Sequence, residues 1–111
     1  MTSTAAMRQV VVFAPDLMDR SRISGALPHA QFVTALDQLS RAGPDSIVLV
    51  DLHRPGVLEA IPTLSGSVIG FASHVDDDLM RAARAAGCAE VLPRSRFFRR
   101  LAELAGQTGN E

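Results

Sequence analysis

Lysine is missing from this 111-residue sequence, and so are tryptophan and tyrosine; cysteine occurs once, at Cys88. Each absence removes a kind of chemistry. Without lysine no side-chain amine can form a Schiff base or act as a tunable ammonium, and all eleven basic residues are arginine. Without tyrosine there is no phenol to move a proton. One thiol cannot close an internal disulfide, which suits a reducing compartment. Long apolar runs are missing too. The opening residues, MTSTAAMRQ, lack the apolar segment of a secretory leader, and no stretch approaches the ~20 residues of a membrane-spanning helix. A net charge of −1 gives no global pull toward nucleic acid or anionic lipid. A soluble cytoplasmic protein without nucleic-acid or membrane partners is expected.

What is present is a regular alternation. Hydrophobic residues make up 47% of the chain, enough for one core. A single domain over residues 1–111 is expected, with its core at about 8–105 and loose tails at 1–8 and 106–111. Apolar runs at 9–13, 31–33, 47–51, 68–72 and 90–93 read as strands. Between them, 17–27, 36–42, 57–64, 76–87 and 97–105 read as helices. In the 17–27 helix Leu17, Met18, Ile23, Ala26 and Leu27 form the apolar set, with Asp19, Arg20 and Arg22 polar. Pro62 should make the 57–64 helix short or irregular, and Gly87 should end the 76–87 helix. Strands alternating with helices imply a mostly parallel sheet covered on both faces. The expected class is α/β, flavodoxin-like and doubly wound, with strand order 2-1-3-4-5.

The centre of this pattern is Pro44–Gly56, PDSIVLVDLHRPG. Four apolar residues, Ile47 to Val50, read as a strand buried on both faces. It ends on Asp51, where open α/β sheets place their functional groups. Two segments, PDSIVLVDLHRPG and AAGCAEVLPRSRF, resemble the receiver domain of two-component response regulators over roughly residues 8–105. The resemblance places Asp51 at the phosphoacceptor position. The acidic, magnesium-holding place after the first strand falls on Ala14-Pro15-Asp16. The hydroxyl position falls on Ala72, with Ser73 beside it. The basic position after the fifth strand falls on Arg94, and the switch aromatic on Val91.

These departures matter chemically. Phosphoryl transfer to a carboxylate needs a divalent cation to neutralise phosphate oxygens. Magnesium needs hard oxygen ligands, and Ala14 and Pro15 supply none from their side chains. The resemblance therefore implies a pseudo-receiver with no catalytic residue and no cofactor. Such a chain would act in bacterial signalling by phosphorylation-independent protein–protein interaction. A genuine phosphoacceptor is the alternative: Asp51 with Asp16, Ser73 and Arg94 as site neighbours, and magnesium as cofactor. The interaction face expected from the resemblance is built by the 76–87 helix, the 90–93 strand and the 97–105 helix. Its side chains are Arg94, Arg96, Phe98, Arg99 and Arg100. They suit an acidic protein partner or a homodimer, with Asp76 to Asp78 as counter-charges.

Other patterns carry less. Asp51, His53 and His74 gather at one sheet edge and could form a small ligand or metal site, but their spacing is that of solvated loop residues; no metal site is expected. Asp51-Leu52-His53-Arg54-Pro55-Gly56 also matches the D-x-H-x-x-G of cobalamin-binding domains, though it follows the third strand with only a short chain after it. Cys88 reads as a structural thiol. No Gly-rich phosphate loop follows the first strand, which argues against a nucleotide enzyme.

Overall fold

The computed structural model describes residues 8–72 and 76–107. Five parallel strands form one sheet: β1 (Val10–Phe13), β2 (Gln31–Phe32), β3 (Ile47–Asp51), β4 (Ser67–Ala72) and β5 (Glu90–Pro93). Their order is β2-β1-β3-β4-β5, as the alternation of elements predicts. β3 lies at the centre. It pairs Ile47 through Val50 with Val10 through Phe13 on one side and Ile47 through Asp51 with Ser67 through Phe71 on the other. Every residue of β1 and β3 is buried, which is why both read as unbroken apolar runs.

Successive side chains on these strands feed two cores. Val11, Phe13, Val48, Val50 and Val68 pack with Leu39, Val57, Ile61, Met80 and Ala83 on one face. Val10, Val12, Ile47, Leu49, Ile69 and Phe71 pack with Ile23, Leu27, Phe97, Leu101 and Leu104 on the other. The second core is tied by Phe71 and Phe97, stacked with ring centroids 4.3 Å apart, a geometry worth about 1 kcal/mol beyond area burial. Helices α1 (Leu17–Ala26) and α4 (Arg94–Gln107) cover that face; α2 (Val57–Ala60) and α3 (Asp77–Ala86) cover the first.

Three local expectations change and one holds. The 36–42 segment is a 3-10 helix, Leu36–Arg41. Its Ala35 cap has no side-chain oxygen of its own; Gln38 instead accepts the amides of Thr34 and Ala35, and so short a turn buries only Leu39. The 57–64 helix is short and irregular as expected, four residues of α-helix followed by a 3-10 turn at Ile61–Thr63, as Pro62 dictates. The last helix starts three residues early, at Arg94. Pro93 has no N–H to extend the strand ladder, so the chain turns into helix there. That helix also continues to Gln107, into the stretch expected as tail.

The third change is the phase of α1. Leu17 and Met18 are 77% and 73% exposed, while Asp19 and Ile23 are its buried residues. Asp16 caps the helix, and the cap sets which residues face inward. Asp19 and Ile23, four apart, share that face. A buried carboxylate requires a partner, and the partner defines the site.

Candidate functional site: a closed carboxylate–guanidinium cluster

The site lies at the C-terminal edge of the sheet, beside the point where β1 and β3 run to opposite sides of the order. Asp51 ends β3 and is 7% exposed. Its Oδ1 accepts the His53 amide at 3.0 Å. Its Oδ2 accepts Nε of Arg54 at 3.2 Å, in an ion pair three residues apart. The carboxylate thus folds the loop that follows it and holds a cation from that same loop.

Asp16, the N-cap of α1, accepts the amides of Met18 and Asp19 on Oδ1 at 2.9 and 3.0 Å. The Asp19 amide is the main reason its carboxyl lies below the ordinary 3.8; desolvation opposes this, and the Met18 amide and the charges of Arg94 and Arg54 add to it. Asp19, buried behind it, pairs with the guanidinium of Arg94. Arg94 also lies over the ring of Phe98, 5.3 Å from its centroid, and Arg22 lies over the same ring at 3.8 Å. These contacts bolt α1 to the start of α4.

The structure brings Asp16, Asp51 and Arg94 to one edge. It sends Arg94 to Asp19, not to Asp51. Ser73 and His74 lie outside the described residues. Ala72 and Val91 are buried, and neither carries a hydroxyl or an aromatic ring. Two residues of the cluster escaped sequence reading, Asp19 and Arg54. Asp19 could have been suspected from the i, i+3 relation to its cap at Asp16; Arg54 carried no such signal.

Whether these donors fit magnesium can be judged from their engagement. Asp51 accepts an amide and a guanidinium, Asp19 pairs with Arg94, and exposed Asp16 accepts two amides on one oxygen, Oδ1. Ala14 and Pro15 offer no side-chain oxygen. Among the described residues no group of three His, Cys, Asp or Glu side chains is placed to hold a metal ion. As engaged here, the described residues do not present the set of free side-chain oxygens that magnesium needs.

The arginine face divides. Arg100 makes a bidentate pair with Glu90, its Nε and Nη2 at 2.9 and 2.7 Å from the two carboxylate oxygens, and reaches Glu103 at 3.0 Å. That pairing holds the Glu90 carboxyl below its ordinary 4.5. Phe98 is half-buried against Phe71 and Phe97. Arg96 and Arg99 are exposed and line a shallow groove of about 420 Å³ with Leu92, Arg100 and Glu103. Cys88 is half-buried, and desolvation pushes its thiol up to about 11 despite a hydrogen bond with the Gly70 backbone, which disfavours a reactive thiolate.

No family model matches the sequence, and no curated protein matches it. Solved structures do. The signal receiver domain of the response regulator NarL from Mycobacterium tuberculosis aligns at 18% identity over 93% of this chain and 98% of its own, with a TM-score of 0.69. The phosphorylated cyanobacterial phytochrome response regulator RcpA aligns at 15% identity over 93% and 94%, with a TM-score of 0.72. The beryllofluoride-activated NtrC4 receiver domain, solved as a dimer, aligns at 18% over 91% and 98%, with a TM-score of 0.70. The chain has the receiver fold, as its resemblance implies. No helix among the described residues is long and apolar enough to cross a membrane.

Proposed function

We propose that this receiver-fold chain works in two-component-type signalling as a protein-interaction module that does not depend on phosphorylation. It carries no catalysis of its own. One observation carries the reading: the Asp51 carboxylate is closed by the His53 amide and the Arg54 guanidinium. A phosphoryl group would have to displace that guanidinium, and among the described residues no group of three His, Cys, Asp or Glu is placed to hold the cation that would neutralise its oxygens. The partner surface is the outer side of α4 and β5. There Arg96 and Arg99 present positive charge beside Leu92 in a groove, suited to an acidic protein partner or a second copy of this chain. The NtrC4 receiver domain, of the same fold, is a dimer in its beryllofluoride-activated form.

The test has two arms. Magnesium with beryllofluoride should leave the amide NMR spectrum of the protein unchanged; a shift abolished by Asp51→Asn would return the phosphoacceptor reading, with Asp16 and Arg94 beside Asp51. Arg96→Glu with Arg99→Glu should abolish self-association in sedimentation, or capture of the partner from the native host, while circular dichroism stays unchanged. Association that survives the double change would move the interface elsewhere.

A further inference from the structure

The misfit between the carboxylates and a divalent cation has a cause within the chain. Asp16, Asp19 and Asp51 carry three negative charges; Arg54 and Arg94 carry two positive ones, leaving −1. Asp51 is the most consequential of the three, because it ends the central strand and is almost fully buried. A buried carboxylate at a sheet edge needs compensation from a metal, a proton or a fixed cation. Arg54 provides it at 3.2 Å from within the same loop, and its charge also acts on Asp16. The loop is shaped for this. Asp51 accepts the His53 amide, the Arg54 amide donates to the Asp51 carbonyl at 3.2 Å, and Gly56 then takes φ +85° to begin α2. The positive φ at Gly56 is one that L side chains rarely adopt, so glycine there sets the chain's direction just after Arg54.

We propose that Arg54 is a built-in counter-ion that holds the place a divalent cation takes in a phosphorylatable receiver. The site thereby carries its own cation and does not respond to magnesium. This rests on the phosphorylation-independent reading above and adds the residue that enforces it. Arg54 is a positioning and charge-compensating residue, not a catalytic one.

The experiment compares the full chain with Arg54→Gln, Arg54→Lys and the double variant Arg54→Gln/Asp51→Asn. Thermal unfolding is followed with and without millimolar magnesium chloride at constant ionic strength, and manganese binding is followed by electron paramagnetic resonance. The wild type should bind no manganese, and its midpoint should not move with magnesium. Arg54→Gln should unfold about 4 °C lower or more, and magnesium should restore part of that loss. Arg54→Lys keeps a cation, so it should stay insensitive to magnesium. The double variant should lose the magnesium response. Stoichiometric, Asp51-dependent manganese binding by the wild type would overturn the proposal. So would an Arg54→Gln protein as stable as wild type and indifferent to magnesium. Should Arg54→Gln fail to fold, the wild-type and Arg54→Lys measurements still decide. Metal binding by the wild type without a beryllofluoride response would sink this inference alone. Loss of the Arg96 and Arg99 prediction would sink the interaction surface alone.

Discussion

Two regions of this small protein are rich in arginine, and they use it in opposite ways. At the C-terminal edge of the sheet, Arg54 and Arg94 are bound to Asp51 and Asp19, side chains that are 10% and 2% exposed. On the outer side of α4, Arg96 and Arg99 are exposed, and no ion pair to either is found among the described residues. The residue type is the same; the carboxylate's access to water differs. A carboxylate cut off from water recruits a cation, whereas an arginine on a helix surface is well solvated alone. At the sheet edge the arginines are thereby engaged within the fold, and on the helix surface they face solvent. Arg100 stands between the two regimes, part-buried and shared between Glu90 and Glu103.

The largest effect that would break this contrast comes from the buried pair. Arg94→Met leaves Asp19 charged, buried and alone. It should cost about 3–5 kcal/mol in urea unfolding, including the lost contact with Phe98. Asp19→Asn should cost less, about 1–3 kcal/mol, because the Arg94 side chain is 32% exposed and can turn to water. Equal losses, or the reverse order, would mean that the burial of Asp19 does not control the pair.

A smaller effect sharpens the middle of the comparison. Arg100 keeps the Glu90 carboxyl ionised below its ordinary 4.5. A group whose folded pKa is lowered stabilises the protein above the unfolded value, and that stability is lost as pH falls through the folded one. Glu90→Gln should therefore be less stable than wild type at neutral pH, by about 1 kcal/mol or less for so accessible a pair. The difference should shrink as pH falls below 4.5. Urea midpoints at several pH values check it; a gap that widens on acidification would contradict the pairing.

The contrast also explains how much could be read from the chain. The sheet order followed from alternating apolar runs and helical segments, and Asp51 from its place at the end of IVLVD. Both depend on local patterns. The Asp19–Arg94 pair did not, because it needs two elements far apart in sequence and a helix phase set by one cap. With Asp16 as the cap, Leu17 and Met18 turn to solvent and Asp19 turns inward, the reverse of what their polarity suggests. Phe98 was hidden similarly. It reads as an exposed aromatic among arginines, yet Arg22 from α1 stacks on its ring. Arg54 sits in a loop whose shape comes from Asp51's own side chain, and no periodicity reports such a turn.

The smallest expected change in stability is at the open end of the comparison. Arg96 and Arg99 carry no ion pair among the described residues, so Arg96→Glu with Arg99→Glu should alter unfolding free energy by no more than about 0.5 kcal/mol per substitution. Association should respond strongly, since reversing charge on a docking surface replaces attraction with repulsion toward the same partner. It should also weaken in the wild type as salt rises, because the charges are exposed and a Debye length is about 10 Å at 0.1 M. Arg100→Gln differs: it removes an internal pair with Glu90 and should lower stability while leaving the salt dependence of association in place. Sedimentation and urea unfolding on the same samples separate the two. If Arg100→Gln abolished association while the Arg96 and Arg99 changes did not, the paired arginine would be the recognition element and the unpaired ones mere solubilising charge.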